Sequence, residues 1–374
     1  PQVTATESLL ENDLLRVRFY PDGSIASIYD QEAQREVCAD VYGAEGQAAN
    51  RLAVYVDWGD AWDFPMDYAE AGAGTEPRPY YLELVAATPR VDGPCAILEQ
   101  VYRLGHSELV QEIVLTVGGR RLEFRTRARW REVRSMLRTS FPVAVHAESA
   151  TFEIQFGHIR RPTHRNTTWD LARDEVAAHK WADLSQRDYG VALLNDSKYG
   201  HKVKGHILDL NLLRSVPYPG PRLVRDEDVN PGEPHHGYTD QCDHRFTYAL
   251  YPHLGDHVAG RVIQAGYELN VPLRVMPTQA HAGAMPLQAS FLQVDAPNVI
   301  VEAVKKAEEG GDLIVRLYES AHMGTRARLH FGFPVRAVTE SNLIEEDICP
   351  LELEEDEVAL EFKPFEIKTL RVVK

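Results

Sequence analysis

The sequence predicts an all-β protein of β-sandwich architecture, and three observations carry that expectation. Apolar and polar residues alternate with a period of two along most of the chain. Short strand-like runs are separated by clusters of Gly, Pro, Asp and Asn. Helical spacing of apolar residues is confined to one stretch, Asp170–Leu184 (DLARDEVAAHKWADL).

The elements follow in order. LLRVRFYPDGSIASIYD, from Leu14 to Asp30, alternates around Pro21-Asp22-Gly23-Ser24 and reads as a hairpin. In GRRLEFRTRARWREV, Leu122, Phe124, Thr126, Ala128 and Trp130 share one face, with Glu123 and Arg125, Arg127, Arg129 and Arg131 on the other. Such an arginine row is either an anion-binding stripe or the solvated face of an antiparallel strand, and the second is the simpler reading. From Val299, VIVEAVKKAEEGGDLIVRLYES is two strands around Gly310-Gly311, and VALEFKPFEIKTLRVV closes the chain as strand broken at Pro364. Arg274–Leu287 (RVMPTQAHAGAMPL) has no clear period and is the candidate linker. The expected organisation is a large sandwich over residues 1–273, a linker over 274–287 and a small sandwich over 288–374.

The totals narrow the class. A chain of 374 residues with 44% hydrophobic and 26% charged residues suits a soluble globular protein of two or three domains. A net charge of −16 disfavours nucleic acid and anionic membranes as partners. No apolar run reaches the roughly 20 residues of a membrane span. Cys38, Cys95, Cys242 and Cys349 are scattered, with no CxxC pair, which fits a reducing compartment and argues against a zinc knuckle. Asn166-Thr167-Thr168 is a formal glycosylation triplet without other signs of secretion. The chain opens on Pro1 and enters strand pattern almost at once, as a processed protein or a portion of a longer one would. Phosphate loops, dinucleotide fingerprints and G-x-S-x-G elbows are lacking.

Four stretches could carry chemistry. YVDWGDAWDFPMD holds Asp57, Asp60, Asp63 and Asp67 with Trp58 and Trp62. Its spacing is wrong for a calcium loop. Trp62 flanked by Asp60 and Asp63 offers a sugar both a flat face and hydrogen-bond acceptors, while core tryptophans with turn-capping aspartates would give the same letters. RRPTHRNTTWD gathers His164, Asn166, Trp169 and Asp170 on an expected loop. The apolar strand VALLND ends abruptly in Asn195, Asp196, Lys198, Tyr199 and His201, which suits a pocket rim or a charged hairpin turn. The histidine run His235, His236, His244, His253 and His257 has no convincing metal-ligand spacing, so no metal is expected in this chain.

Taken together, GHIRRPTHRNTTWDLARDEVAAHKWADLS, YGVALLNDSKYGHKVKGHILDLNLLRS, HRFTYALYPH, WGDAWDF, RLYES and FKPFEIKTLRV resemble the C-terminal half of glycoside hydrolase family 38 α-mannosidases, in the cytosolic-type branch. The resemblance implies a galactose-mutarotase-like β-supersandwich followed by a small β-sandwich, in the cytoplasm. It also implies that the catalytic residues and the zinc of retaining α-mannoside hydrolysis lie in an N-terminal barrel, followed by a helical bundle, of the same polypeptide. This chain alone is then expected to be inactive and to hold no cofactor, while supporting the mannoside site. A homo-oligomer stays open. Asp60, Trp62 and Asp63 are the expected wall of the mannosyl site, with Asn195, Lys198, Tyr199 and His201 lining or bracing the same opening, and His164, Asn166, Trp169 and Asp170 behind them. Departures are Cys242 and His322 where the family tends to have Gly, and the lack of an aromatic just before DAWD. Other readings are a free-standing aldose epimerase and a non-catalytic sugar-binding module, since one sandwich hosts many functions.

Overall fold

The computed structural model describes residues 2–39, 48–65, 68–69, 79–220, 229–280, 282–284 and 286–374; Asp67 of the acidic stretch, and His281 and Met285 of the expected linker, lie outside them. The chain forms two compact units, one of residues 1–153 and 160–272 and one of 154–159 and 273–374. Almost every element is a strand.

The first unit holds three antiparallel sheets. The amino-terminal one joins Thr4–Thr6, Leu9–Glu11, Leu15–Phe19, Ile25–Asp30 and Arg35–Glu36 in sequence order, so the hairpin around Pro21–Ser24 forms as its turn residues demand. The largest runs Gly157–Pro162, Ser149–Ile154, Trp181–Ser185, Tyr189–Asn195, Asp243–Leu254, Leu122–Arg129, Ser107–Thr116, Cys95–Leu104, Glu83–Asp92. A third sheet runs Val176–Ala177, Gly200–Lys204, Ile207–Ser215, Ser135–Pro142, Ala53–Val56, Tyr80–Tyr81.

One core joins these sheets. Phe124 and Tyr248 of the large sheet stack at 4.9 Å, and Phe124 meets Phe141 of the third sheet at 5.6 Å. A polar chain crosses the same interior without loose ends, because Asn50 Oδ1 accepts from Tyr248 Oη at 2.6 Å and Thr139 Oγ1 at 3.0 Å. Alternation along Leu122–Arg129 is as the sequence implies, with the even-numbered residues buried. Of the arginine row, Arg125 pairs with Glu123, Arg127 with Glu99 and Arg131 with Asp243, so the row is a charge-balanced solvent face.

Two local expectations differ. Within Asp170–Leu184 the expected helix is replaced by a single turn, Thr168–Leu171, and by the buried strand Trp181–Ser185. That strand sits between Ser149–Ile154 and Tyr189–Asn195, where pairing on both edges outweighs the helix preference of Ala182 and Leu184. The nine-residue helix Val262–Asn270, by contrast, has no sequence signal. Arg261 precedes it at φ 57° without a side-chain cap. It covers the outer face of Trp181–Ser185 and Tyr189–Asn195, and all seven residues of the latter are therefore buried.

The second unit is a small sandwich. One sheet runs Leu292–Val294, Thr325–Phe331, Glu357–Phe362, Leu353–Glu354, and the other Val299–Lys306, Leu313–Glu319, Ile367–Val373, Ala337–Ser341, Asp347–Leu351. Val315, Leu317, Leu329, Phe331, Val358 and Leu370 fill its core. His322, at a position the family resemblance gives to Gly, has φ 61°, and its ring stacks on Phe365 at 4.7 Å.

Candidate functional site

Asp57 follows strand Ala53–Val56 and is completely buried, which demands a counter-charge. Arg214, near the end of Ile207–Ser215, supplies it, Nε donating to Asp57 Oδ2 at 2.6 Å and Nη2 to Oδ1 at 3.2 Å. The same guanidinium donates to two carbonyls of the following loop, Nη1 to Asp60 O at 3.0 Å and Nη2 to Asp63 O at 2.7 Å. One cation therefore holds a buried carboxylate and both ends of the Asp60–Asp63 turn.

Inside the turn, Asp60 Oδ1 accepts from the amides of Trp62 at 2.8 Å and Asp63 at 3.0 Å. These amides hold its carboxyl below the usual aspartate range. A side chain at Gly59 would collide with Asp63 O and Arg214 Nη2, so the close approach needs glycine. With its backbone committed in this way, the loop presents Trp58 at 69% and Trp62 at 81% exposure, beside the exposed Asp63. The tryptophans are not core; Asp60 does cap the turn.

The strand end after VALLND is linked to Arg214 through Asp240. Asp240 Oδ2 accepts from the Arg214 amide at 2.8 Å. The Lys198 ammonium lies over the Phe246 ring at 4.6 Å; burial lowers its pKa, against the attraction of Asp240 and Asp196. Asn195 is buried and braces: its Oδ1 accepts from the Lys198 amide at 2.7 Å and its Nδ2 donates to His179 O at 2.7 Å. Tyr199 is exposed and edge-on to His179. His201 points into the core, completely buried, and burial with the charges of Arg138 and Arg161 pushes its pKa down to about 3.

His164, Asn166, Trp169 and Asp170 form a separate, locally closed loop. Thr167 and Asp170 make reciprocal capping bonds, His164 Nδ1 is 3.5 Å from Asp170, and Trp169 is exposed. Asp174 ties this loop down, pairing with Arg165 at 2.8 Å and with Lys202. Burial alone would raise the Asp174 pKa, but Lys202 and Arg165 outweigh it and hold the carboxyl low. Next to it Arg138, itself buried, pairs with Glu175 at 2.9 Å and donates to Asp209 at 2.6 Å, beneath the Tyr68 ring. Burial raises the Glu175 pKa despite that partner.

The structure thus joins Asp60 and Asp63 to Arg214 and, through the Arg214 amide, to Asp240, whose charge acts on Lys198; His201 lies in the core against Asn195, and the His164–Asp170 loop is closed on itself. Arg214 and Arg138 were missed in the sequence because each sits in an alternating strand, where one charge looks like solvent face. Among the described residues no three His, Cys, Asp or Glu side chains converge to hold a metal ion, so the donor set for zinc is not met here. His253, the best-placed histidine of the run, is spent on Asp183 at 2.8 Å.

Residues 10–222 match the glycosyl hydrolases family 38 C-terminal domain, and residues 298–370 match that family's C-terminal beta sandwich domain. The chain belongs to glycosyl hydrolase family 38, of which it carries the C-terminal part. It is 36% identical over its whole length to alpha-mannosidase 2C1 of Mus musculus and of Homo sapiens, covering 34% of each, and 33% identical over 98% of its length to alpha-mannosidase G of Dictyostelium discoideum, covering 32%. It therefore spans about a third of the length of these relatives. A solved α-mannosidase from Enterococcus faecalis V583 superposes with TM-score 0.77 at 17% identity, over 99% of this chain and 43% of that one, which shows a shared fold.

Proposed function

We propose that this chain is the carboxy-terminal, non-catalytic part of an α-mannosidase and that its Asp60–Asp63 loop forms one wall of the mannoside site. The carrying observation is the Arg214 clamp, which spends a buried ion pair and two carbonyl bonds on keeping Trp62 and Asp63 in water. Such pre-organisation suits a binding edge rather than a core. In this reading Trp62 meets the C–H face of a pyranose and Asp63 accepts from hydroxyls, while Lys198 and Tyr199 border the same opening and Asn195 braces it. His201, inside the core, supports the strand rather than the sugar; the loop of His164, Asn166, Trp169 and Asp170 lies further back.

The partners are an α-mannoside and, because the relatives are about three times as long, an N-terminal catalytic barrel and helical bundle of the same polypeptide. Zinc, which the family resemblance implies for the whole enzyme, finds no ligand set among the described residues and enters no step here. Four free cysteine thiols, two of them exposed, agree with the cytoplasm. Incubating the chain alone with an aryl α-mannoside, with and without zinc or cobalt, tests the reading. No turnover is expected; metal-dependent turnover that survives repurification overturns it.

A further inference from the structure

The second unit carries two apolar features whose exposure its own fold does not explain. The first is a cleft of about 840 Å³ lined by Leu292, Val301, Val304, Leu313 and Phe333, with Val304 still 53% exposed. Arg336 and Lys374 line it too; the Lys374 ammonium lies 5.6 Å from the Phe333 ring, and neither cation has an acidic partner among the described residues.

The second feature is the projecting loop Asn342–Ile348, where Leu343, Ile344 and Ile348 are 57%, 75% and 64% exposed. This loop is rigidly built. Asn342 Oδ1 accepts from the amides of Ile344 and Glu346, both at 3.0 Å. Arg316 donates to Leu343 O at 3.0 Å and Arg371 to Glu345 O at 2.7 Å. The Glu345 carboxylate is tucked inward against Lys305 at 2.8 Å and the Glu308 amide at 2.9 Å. Apolar side chains are thus fixed in water with the Glu346 carboxylate beside them, oriented by Asn342 Nδ2 at 2.7 Å, while Asp347 pairs with Arg371 at 3.0 Å and pins the base of the loop.

We propose that the Leu343–Ile348 projection of one copy fills the Leu292–Phe333 cleft of a second. The chemistry matches twice, apolar tip to apolar cleft and the Glu346 carboxylate, which has no cationic partner among the described residues, to the cations Arg336 and Lys374. Both surfaces are pre-formed, so little ordering opposes docking. Since cleft and projection are different surfaces, the contact is heterologous, and each pair keeps one free cleft and one free projection. Self-association then continues to a closed ring or an open chain, and does not stop at a symmetric dimer.

Sedimentation velocity of the whole chain over a wide concentration range tests this, with Val304→Asp closing the cleft and Ile344→Asp blunting the projection. Mass should grow past the dimer for the unmodified chain, and each variant should associate at least tenfold more weakly. An equal mixture of the two variants should give dimers and nothing larger, because each such pair has one intact cleft and one intact projection. Reversing charge at Arg336 and Lys374 (to Glu) should weaken assembly, and mixing with Glu346→Lys should restore it, which tests the contact without an aspartate in an apolar site. A chain monomeric at every concentration overturns the proposal, including one whose cleft instead takes up a fatty acid. So does assembly unaffected by both single variants, or a folded variant mixture that stays monomeric.

Discussion

Replacing Arg214 by Met should cost far more than a surface ion pair would. Asp57 has no exposed side-chain surface and Arg214 only 21%, so solvent screening is small and the carboxylate is left uncompensated. Breaking one side of such a pair costs about 3–5 kcal/mol. Two bonds to Asp60 O and Asp63 O are lost as well, each about 1 kcal/mol, but water can replace these at the loop's exposed edge. We therefore expect roughly 3 kcal/mol. All five tryptophans lie in the first unit, so urea unfolding followed by tryptophan fluorescence reads that unit directly. The double variant Asp57→Leu/Arg214→Met should be about 1–2 kcal/mol more stable than Arg214→Met alone, because the orphaned charge is gone. A loss below about 1 kcal/mol for Arg214→Met, or additive effects of the two substitutions, would show that the pair does not hold the loop.

Gly59→Ala should destabilise by about 1–3 kcal/mol in a thermal melt, since its Cβ meets Asp63 O and Arg214 Nη2 and the backbone must shift; a neutral result would mean the loop is slack. His201 titrates near 3 when folded and near its ordinary value when unfolded, so the unfolded chain alone takes up that proton as pH falls. From pH 6.5 to 5 this withdraws about 2 kcal/mol of stability. His201→Gln should therefore lose about 2 kcal/mol less than the unmodified chain between pH 7 and 5, and an equal loss would contradict His201 being buried and neutral. Asp174 has the ordinary carboxylate sign: held low by Lys202 and Arg165, it adds stability above its unfolded pKa and loses it as pH falls through the folded one. Asp174→Asn should flatten acid unfolding below about pH 4, read by the same fluorescence transition.

How far the letters alone reach depends on the kind of element. Strands with one solvated face, such as Leu122–Arg129, are written as alternation and can be read directly. Hairpins at Pro21–Ser24 and Gly310-Gly311 are legible because turn geometry restricts the residues. The strand Trp181–Ser185 is not, since a strand buried on both faces has no alternation to show, and the helix Val262–Asn270 is too short and uncapped to announce itself. At the candidate site, the crowding of Asp and Trp in WGDAWDF drew attention, but nothing local distinguishes exposed tryptophans from core ones. That distinction is made by Arg214, 151 residues from Asp63, and such a contact leaves no trace in local pattern.

The most direct measurement is aryl α-mannoside hydrolysis by the longer polypeptide that carries this chain, comparing Trp62→Ala and Asp63→Asn with Arg326→Ala, a substitution at an exposed side chain outside the loop, as a control. If the Asp60–Asp63 loop walls the mannoside site, each loop variant lowers kcat/KM by about tenfold or more, equivalent to about 1.4 kcal/mol of lost transition-state stabilisation, while the melting temperature and the control stay unchanged. Loop variants with unaltered kcat/KM, in protein that melts normally, would remove the loop from the site.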